Sequence, residues 1–191
     1  MTAVRVAVLA SGGGTNLQAL LDALNNEPTT PLARVTRVVT NRSDAGALER
    51  ARRAGVPATV LKDANDAAEL LAALGDVQLV VLAGYLKLIP ASVVARFRGR
   101  MINIHPALLP DFGGPGMYGH HVHEAVLASG ARESGVTIHF VDEAFDRGAI
   151  IAQERVPVEP GDTPDSLAAR VLAAEHRLLP KVVLELAQRI T

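Results

Sequence analysis

The chain has 191 residues, 49% of them hydrophobic and 20% charged, with a formal net charge of -1 and no cysteine. That size suits a single domain spanning 1–191, and the balance excludes a disordered chain and a broad basic footprint for nucleic acid. The absence of cysteine excludes disulfides, thiolate catalysis and thiolate metal sites. The first residues lack a signal-peptide pattern and no apolar run approaches the ~20 residues of a membrane span, so a cytoplasmic protein is expected.

Arg5 to Ala10 is a β-branched run ending at Ser11 and three glycines, and Thr15 to Leu24 carries helical periodicity through Leu17, Leu20, Leu21 and Leu24. Val35 to Thr40 reads as a second strand and Asp44 to Ala54 as a helix closed by Gly55. Pro57 to Leu61 is a short strand and Asp66 to Leu74 a short helix. Gln78 to Ala83 is apolar almost throughout, as a central parallel strand buried on both faces should be. A helix from Pro90 to Phe97 leads to a strand at Arg100 to Asn103. Pro106 to Tyr118, rich in proline and glycine, reads as a long irregular loop. A helix from Val122 to Ser129 then precedes strands at Gly135 to Val141 and Ile150 to Val158. Thr163 followed by Pro164 marks the start of a long helix toward Gln188. These elements predict an α/β fold with a Rossmann-like, doubly wound, mostly parallel sheet. A C-terminal antiparallel hairpin and a long terminal helix complete it.

Two segments carry chemistry. The glycine loop, Ser11 to Asn16, joins the first strand to the first helix, where free N–H groups and the helix dipole favour an anion such as phosphate. Its spacing departs from the dinucleotide pattern, and Thr40-Asn41-Arg42 stand where an acidic ribose-binding residue would be, so a monophosphate fits better than a nicotinamide cofactor. The plainer alternative is a tight turn capped by Thr15 or Asn16. The second segment is Asn103-Ile104-His105-Pro106, at the carboxyl end of a strand, where ligands bind in open α/β sheets. Asn103 and His105 project to the same side of an extended chain, offering an amide donor and a titratable imidazole suited to carbonyl transfer. A carboxylate brought near His105 would raise its pKa. Asp142, Glu143 and Asp146, in the connection before the last strand, are the candidates, and spacing does not choose among them. His120, His121 and His123 invite a metal reading, but as a polar entry to the following helix they are accounted for without one, and no metal is assigned.

SGGGTNLQAL, LAGYLKLIP, INIHPALLPDF, GVTIHFVDEAFDRGAII and AARVLAAEHRLLP, in that order, resemble the folate-dependent glycinamide ribonucleotide formyltransferases of purine synthesis. The resemblance runs from Arg5 to the last helix. It implies transfer of the formyl group of 10-formyltetrahydrofolate, a co-substrate, to the glycine amine of glycinamide ribonucleotide through a tetrahedral intermediate. It implies Asn103, His105 and Asp146 as the catalytic residues. Gly14, Thr15 and Asn16 would hold the phosphate, Gly84, Leu86 and Pro106 the glycinamide end, and Glu175 the ribose. For the folate it implies Leu86, Lys87, Leu88, Ile89 and Asn103 together with Val141, Asp142, Glu143, Ala144, Phe145 and Asp146. The first hundred residues would form the phosphate-binding half, and residues 101–191 the catalytic and folate-binding half. Small-molecule substrates are the expected partners, with no nucleic acid or membrane, for a monomer or homodimer. Four departures stand out. Leu172 occupies a position where relatives carry Lys or Gln toward the phosphate, and Lys87 one where Arg is frequent. Val60 to Asp76 is shorter than in many relatives and offers no clear counterpart of their basic residue for the folate tail, and Gly113 to Gly119 is longer than in several, as in a variant lid. A formyltetrahydrofolate hydrolase is the nearest rival reading; a non-enzymatic phosphate sensor would leave Asn103, His105 and Asp146 without a common purpose.

Overall fold

The computed structural model describes residues 2–26 and 32–190, so a reading over 1–191 also takes in residues 1, 27–31 and 191, outside those described. In chain order the elements are β1 (Val4–Leu9), α1 (Thr15–Leu24), β2 (Ala33–Thr40), α2 (Gly46–Arg53), β3 (Ala58–Val60), α3 (Ala67–Leu74), β4 (Leu79–Leu82), α4 (Ala91–Arg96), β5 (Met101–His105), α5 (His120–Ala128), β6 (Glu133–Phe140), β7 (Ile150–Pro157) and α6 (Pro164–Ile190). The strands form one sheet in the order β3-β2-β1-β4-β5-β6-β7. β3 through β5 pair in parallel, while β6 runs antiparallel to β5 and β7 antiparallel to β6.

The apolar runs of β1 and β4 follow from burial on both faces. Val6 and Val8 of β1, with Leu79 and Val81 of β4, pack into one core with α1, α2, α5 and α6. The intervening Ala7, Leu9, Val80 and Leu82 enter a second core with α3 and α4. Successive side chains leave a strand on opposite faces, so a strand serving two cores has no polar half. Leu17, Leu20, Leu21 and Leu24 form the buried stripe of α1, each contributing about 1.5–3 kcal/mol on transfer from water. α6 begins as its sequence indicates: Ser166 N–H donates to Thr163 Oγ1 (3.2 Å) and Thr163 N–H to Ser166 Oγ (3.0 Å), with Pro164 as the first helical residue.

Several boundaries differ from those read in the sequence. β2 begins at Ala33, because its ladder with β1 starts at the Val4–Ala33 pair. α5 begins at His120, since the polar histidines already lie in the helix after Gly119 at φ 54°. β5 runs on to His105, held by β6 through the pairs Asn103–His139 and His105–Thr137. Asn103 and His105 therefore sit within a strand, on a more rigid support than a loop.

Candidate active site

The chain changes direction across the sheet between β1 and β4, with β2 and β3 beyond one and β5 to β7 beyond the other. Such a switch point opens a crevice at the carboxyl ends of the strands. Ser11 ties its two sides together: its N–H donates to the Gly84 carbonyl (2.9 Å) and its Oγ accepts from Leu86 N–H (3.0 Å). The glycine loop lies here. Gly14 is the N-cap of α1 at φ 73°, with no side-chain cap, so the alternative of a Thr15 or Asn16 cap is overturned. Instead Asn16 reaches α6, its Nδ2 donating to Glu175 Oε2 (2.8 Å). Glu175 is buried and not a solvated helix charge; burial pushes its carboxyl above the ordinary range, against the Asn16 hydrogen bond. Among the described residues, the N–H groups of Gly13, Gly14, Thr15 and Asn16 donate to no protein acceptor. They border a cavity of about 610 Å³ that Gly84, Leu86, Asn103, His105, Pro106, Asp146, Leu172 and Glu175 also line.

Of the three candidate carboxylates, the fold delivers Asp146. Asp142 accepts from Ala144 N–H within its own loop (3.0 Å), and Glu143 is exposed. The loop can return close to β6 because residue 148 is glycine: a Cβ there would collide with the Phe140 carbonyl. Asp146 adopts φ 55°, and its Oδ1 accepts from Asn103 Nδ2 (3.3 Å) while Oδ2 accepts from Gly114 N–H (3.0 Å). Oδ2 stands 3.5 Å from His105 Nδ1, and Oδ1 3.4 Å from His139 Nε2. Phe112 is the other described non-glycine residue at positive φ (54°), and its carbonyl accepts from His105 Nε2 at 2.8 Å. Left-handed conformations at both Phe112 and Asp146 concentrate backbone strain on the two sides of one imidazole.

The charge states differ from the expectation in one respect. A carboxylate beside His105 was expected to raise its pKa, yet burial lowers it and outweighs the upward pull of Asp146 and of the Phe112 carbonyl, with the nearby His139 adding to the fall. The ring is 3% exposed, so the loss of hydration dominates the sign. Burial also pushes the Asp146 carboxyl up, but His139, His105 and the Gly114 N–H together overcome it and hold the group below its usual range. The resting site is thus a neutral, buried imidazole against a charged carboxylate.

Beside the cavity, Lys87, Leu88, Ile89, Val141, Asp142 and Ala144 line a narrow cleft with Asn103, Phe145 and Asp146. Glu143 lines neither space, which sets it apart from the other residues expected on the folate side. Of the loop Gly113 to Gly119, residues 114–119 line the cavity, and Gly114 N–H donates to Asp146. The three histidines of α5 diverge: His123 is buried, whereas His120 and His121 are exposed and face Glu124. Among the described residues no three histidine, aspartate or glutamate side chains are grouped to hold a metal.

His139 is the residue that sequence reasoning missed. Its Nδ1 donates to the Phe140 carbonyl (2.8 Å), which leaves Nε2 to accept from Asn103 Nδ2 (3.1 Å). A signal existed: Val136, Ile138 and Phe140 alternate toward the apolar side, so Thr137 and His139 form the polar half of the strand. Only the pairing with β5 shows that this half faces Asn103 and His105. Thr137 then anchors the following loop, donating to the Ala107 carbonyl (2.6 Å) and accepting from Leu109 N–H (3.0 Å).

Residues 4–183 match the model of the Formyl transferase family. The chloroplastic phosphoribosylglycinamide formyltransferase of Vigna unguiculata is 46% identical over 187 residues, covering 94% of this chain and 59% of that protein. The corresponding Arabidopsis thaliana protein is covered over 64% of its length, so the chain spans about three-fifths of these plant relatives. The phosphoribosylglycinamide formyltransferase of Haemophilus influenzae is 37% identical over 187 residues, covering 94% of this chain and 85% of its own length. Among solved structures, glycinamide ribonucleotide transformylase 1 from Symbiobacterium toebii superposes with a TM-score of 0.87 at 42% identity, covering 97% of this chain and 88% of that one. By matched length, identity and fold together, the chain belongs to the formyl transferase family, among its phosphoribosylglycinamide formyltransferases.

Proposed function

We propose that this protein transfers the formyl group of 10-formyltetrahydrofolate to the glycine amine of 5-phosphoribosylglycinamide, giving the N-formyl product and tetrahydrofolate in purine biosynthesis. One observation carries the reading: Asn103, Phe145 and Asp146 line both the cavity that begins at the glycine loop and the neighbouring cleft. Two ligands entering by those routes meet at the same residues. The cleft suits a folate ring. Leu88 and Phe145, which line it, stay well exposed, and among the described residues the backbone N–H groups of Lys87, Leu88 and Ile89 donate to no protein acceptor. Unengaged main-chain donors beside apolar walls can read the edge of a flat heterocycle. In this reading the first hundred residues supply the phosphate cradle and the rest of a single domain supplies the chemistry.

The amine lone pair attacks the formyl carbon, and the carbonyl π pair moves to oxygen. Asn103 Nδ2 keeps one hydrogen on Asp146 and turns the other from His139 Nε2 to that oxygen as it gains charge. His105 rests neutral with Nε2–H on Phe112; as the amine attacks, Nδ1, beside the Asp146 carboxylate, takes up the proton that the amine loses. The imidazolium so formed lowers the energy of the charged oxygen. Collapse breaks the bond from the formyl carbon to the folate nitrogen, and the proton lost by the amine goes to that nitrogen. Glu175 accepts from a ribose hydroxyl beside Asn16. The test is to incubate the protein with the ribonucleotide and the formyl folate and to follow release of the deformylated folate by absorbance. Release only when both are present is expected; release without the ribonucleotide would establish a hydrolase instead.

A further inference from the structure

Arg50 of α2 takes no part in the reaction described above, yet it holds the glycine loop. Its Nε donates to the Gly13 carbonyl (2.7 Å), and a terminal nitrogen donates to Gln18 Oε1 of α1 (3.2 Å). From the same helix, Ala47 N–H donates to the Gly12 carbonyl (3.2 Å). α2 can come this close because residue 46 is glycine; a Cβ there would stand 3.1 Å from the Gly13 oxygen. In a planar trans peptide the carbonyl and the following N–H point in opposite directions. Pinning the Gly12 and Gly13 carbonyls against α2 therefore turns the N–H groups of Gly13 and Gly14 away from it, on the side where these residues border the cavity. With Gly14 left-handed, successive N–H groups then form an anion-binding concavity.

The charge distribution gives this arrangement a second meaning. Among the described residues, the cavity lining contains the acids Asp146 and Glu175 but neither Lys nor Arg, and Leu172 is an apolar part of it. Arg50 is the cation bonded directly to the cradle. It also borders a surface hollow with Thr15, Gln18 and His176, where its charge adds to burial in lowering the His176 pKa.

We propose that Arg50 is a positioning residue for the phosphate end of the substrate, fixing the Gly13–Gly14 peptide with its N–H toward the cavity and placing a full positive charge behind it. The proposal rests on the phosphorylated substrate assigned above. Its test compares wild-type protein with Arg50→Met and Arg50→Lys. The readouts are kcat, KM for each substrate, and the Kd of ribose 5-phosphate by titration calorimetry. Arg50→Met is expected to raise the ribonucleotide KM and the ribose 5-phosphate Kd about tenfold or more, the size of losing a charge-assisted contact. The folate KM stays unchanged. Arg50→Lys keeps the charge without the guanidinium fork and falls between the two. A merely structural role would lower the melting temperature and leave the Kd unmoved, or raise both KM values together; either result overturns the inference. Should Arg50→Met fail to fold, wild-type affinity in Arg50→Lys overturns it. Wild-type protein that binds no ribose 5-phosphate overturns the functional reading as well.

Discussion

Replacing Asp146 by Asn keeps the size of the side chain and removes its charge at the point where four groups converge. The carboxylate accepts from Asn103 Nδ2 (3.3 Å) and Gly114 N–H (3.0 Å), and faces His105 Nδ1 (3.5 Å) and His139 Nε2 (3.4 Å). An amide offers one acceptor oxygen, so its NH₂ group must turn toward either Asn103 or Gly114, donor against donor. Asn103 would lose the partner that aims it, and a protonated His105 would lose its counter-charge. Removing one donor from an oxyanion site slows turnover by about 10²–10³-fold, or about 2.7–4 kcal/mol of barrier. The expected result for Asp146→Asn is a fall in kcat of at least about a hundredfold by this standard, with both KM values within about threefold because neither ligand loses its own cradle. The His105 pKa, already lowered by burial, loses the upward pull of Asp146 and falls further. Folate release followed by absorbance at several pH values, with circular dichroism to verify the fold, measures all of this. A kcat within threefold of wild type in a folded variant would refute the placement of Asp146 in the mechanism.

Two further outcomes follow from the same geometry. Gly14→Ala puts a Cβ on a residue at φ 73°, costing roughly 1–2 kcal/mol, and sets that atom 2.8 Å from Ala47 Cα, so α2 must also shift. At about 2–4 °C per kcal/mol for a chain of this size, the melting temperature should fall by about 4 °C or more, with weaker ribose 5-phosphate binding; an unchanged melting temperature contradicts it. Burial lowers the pKa of His105, His123 and His176 below their ordinary 6.5, so the unfolded chain binds more protons than the native one near that pH. Their contribution to stability is complete above pH 6.5 and is lost as pH falls below it. Asp146 acts with the same sign in the carboxylate range, while Glu175, with its raised pKa, opposes it just above 4.5. The melting temperature should therefore drop between pH 7.5 and 5.5, and less steeply in His123→Gln; equal slopes would show that folding leaves the His123 pKa unshifted.

The fold was legible because its signals are local. β1 and β4 are read as central strands from apolar runs that leave no polar face, and α1 from the spacing of its leucines; both follow from backbone period and burial alone. The glycine loop and the Asn103–His105 pair were legible for a related reason, since residue order places them at strand ends where an open sheet binds ligands. Other features depend on which segments become neighbours. Choosing Asp146 over Asp142 and Glu143 needed either a family resemblance or the return path of the loop, which Gly148 permits. His139 gained its place only from the β5–β6 register, and Glu175 became a buried partner of Asn16 only once α6 lay against α1. The sign of the His105 shift was decided by burial, a sum over every atom around the ring that no local spacing encodes. Sequence determined the strands, the loop and the residue types available for chemistry; the packing of α2, α6 and β6 around them decided which groups touch, which are buried and which carry charge.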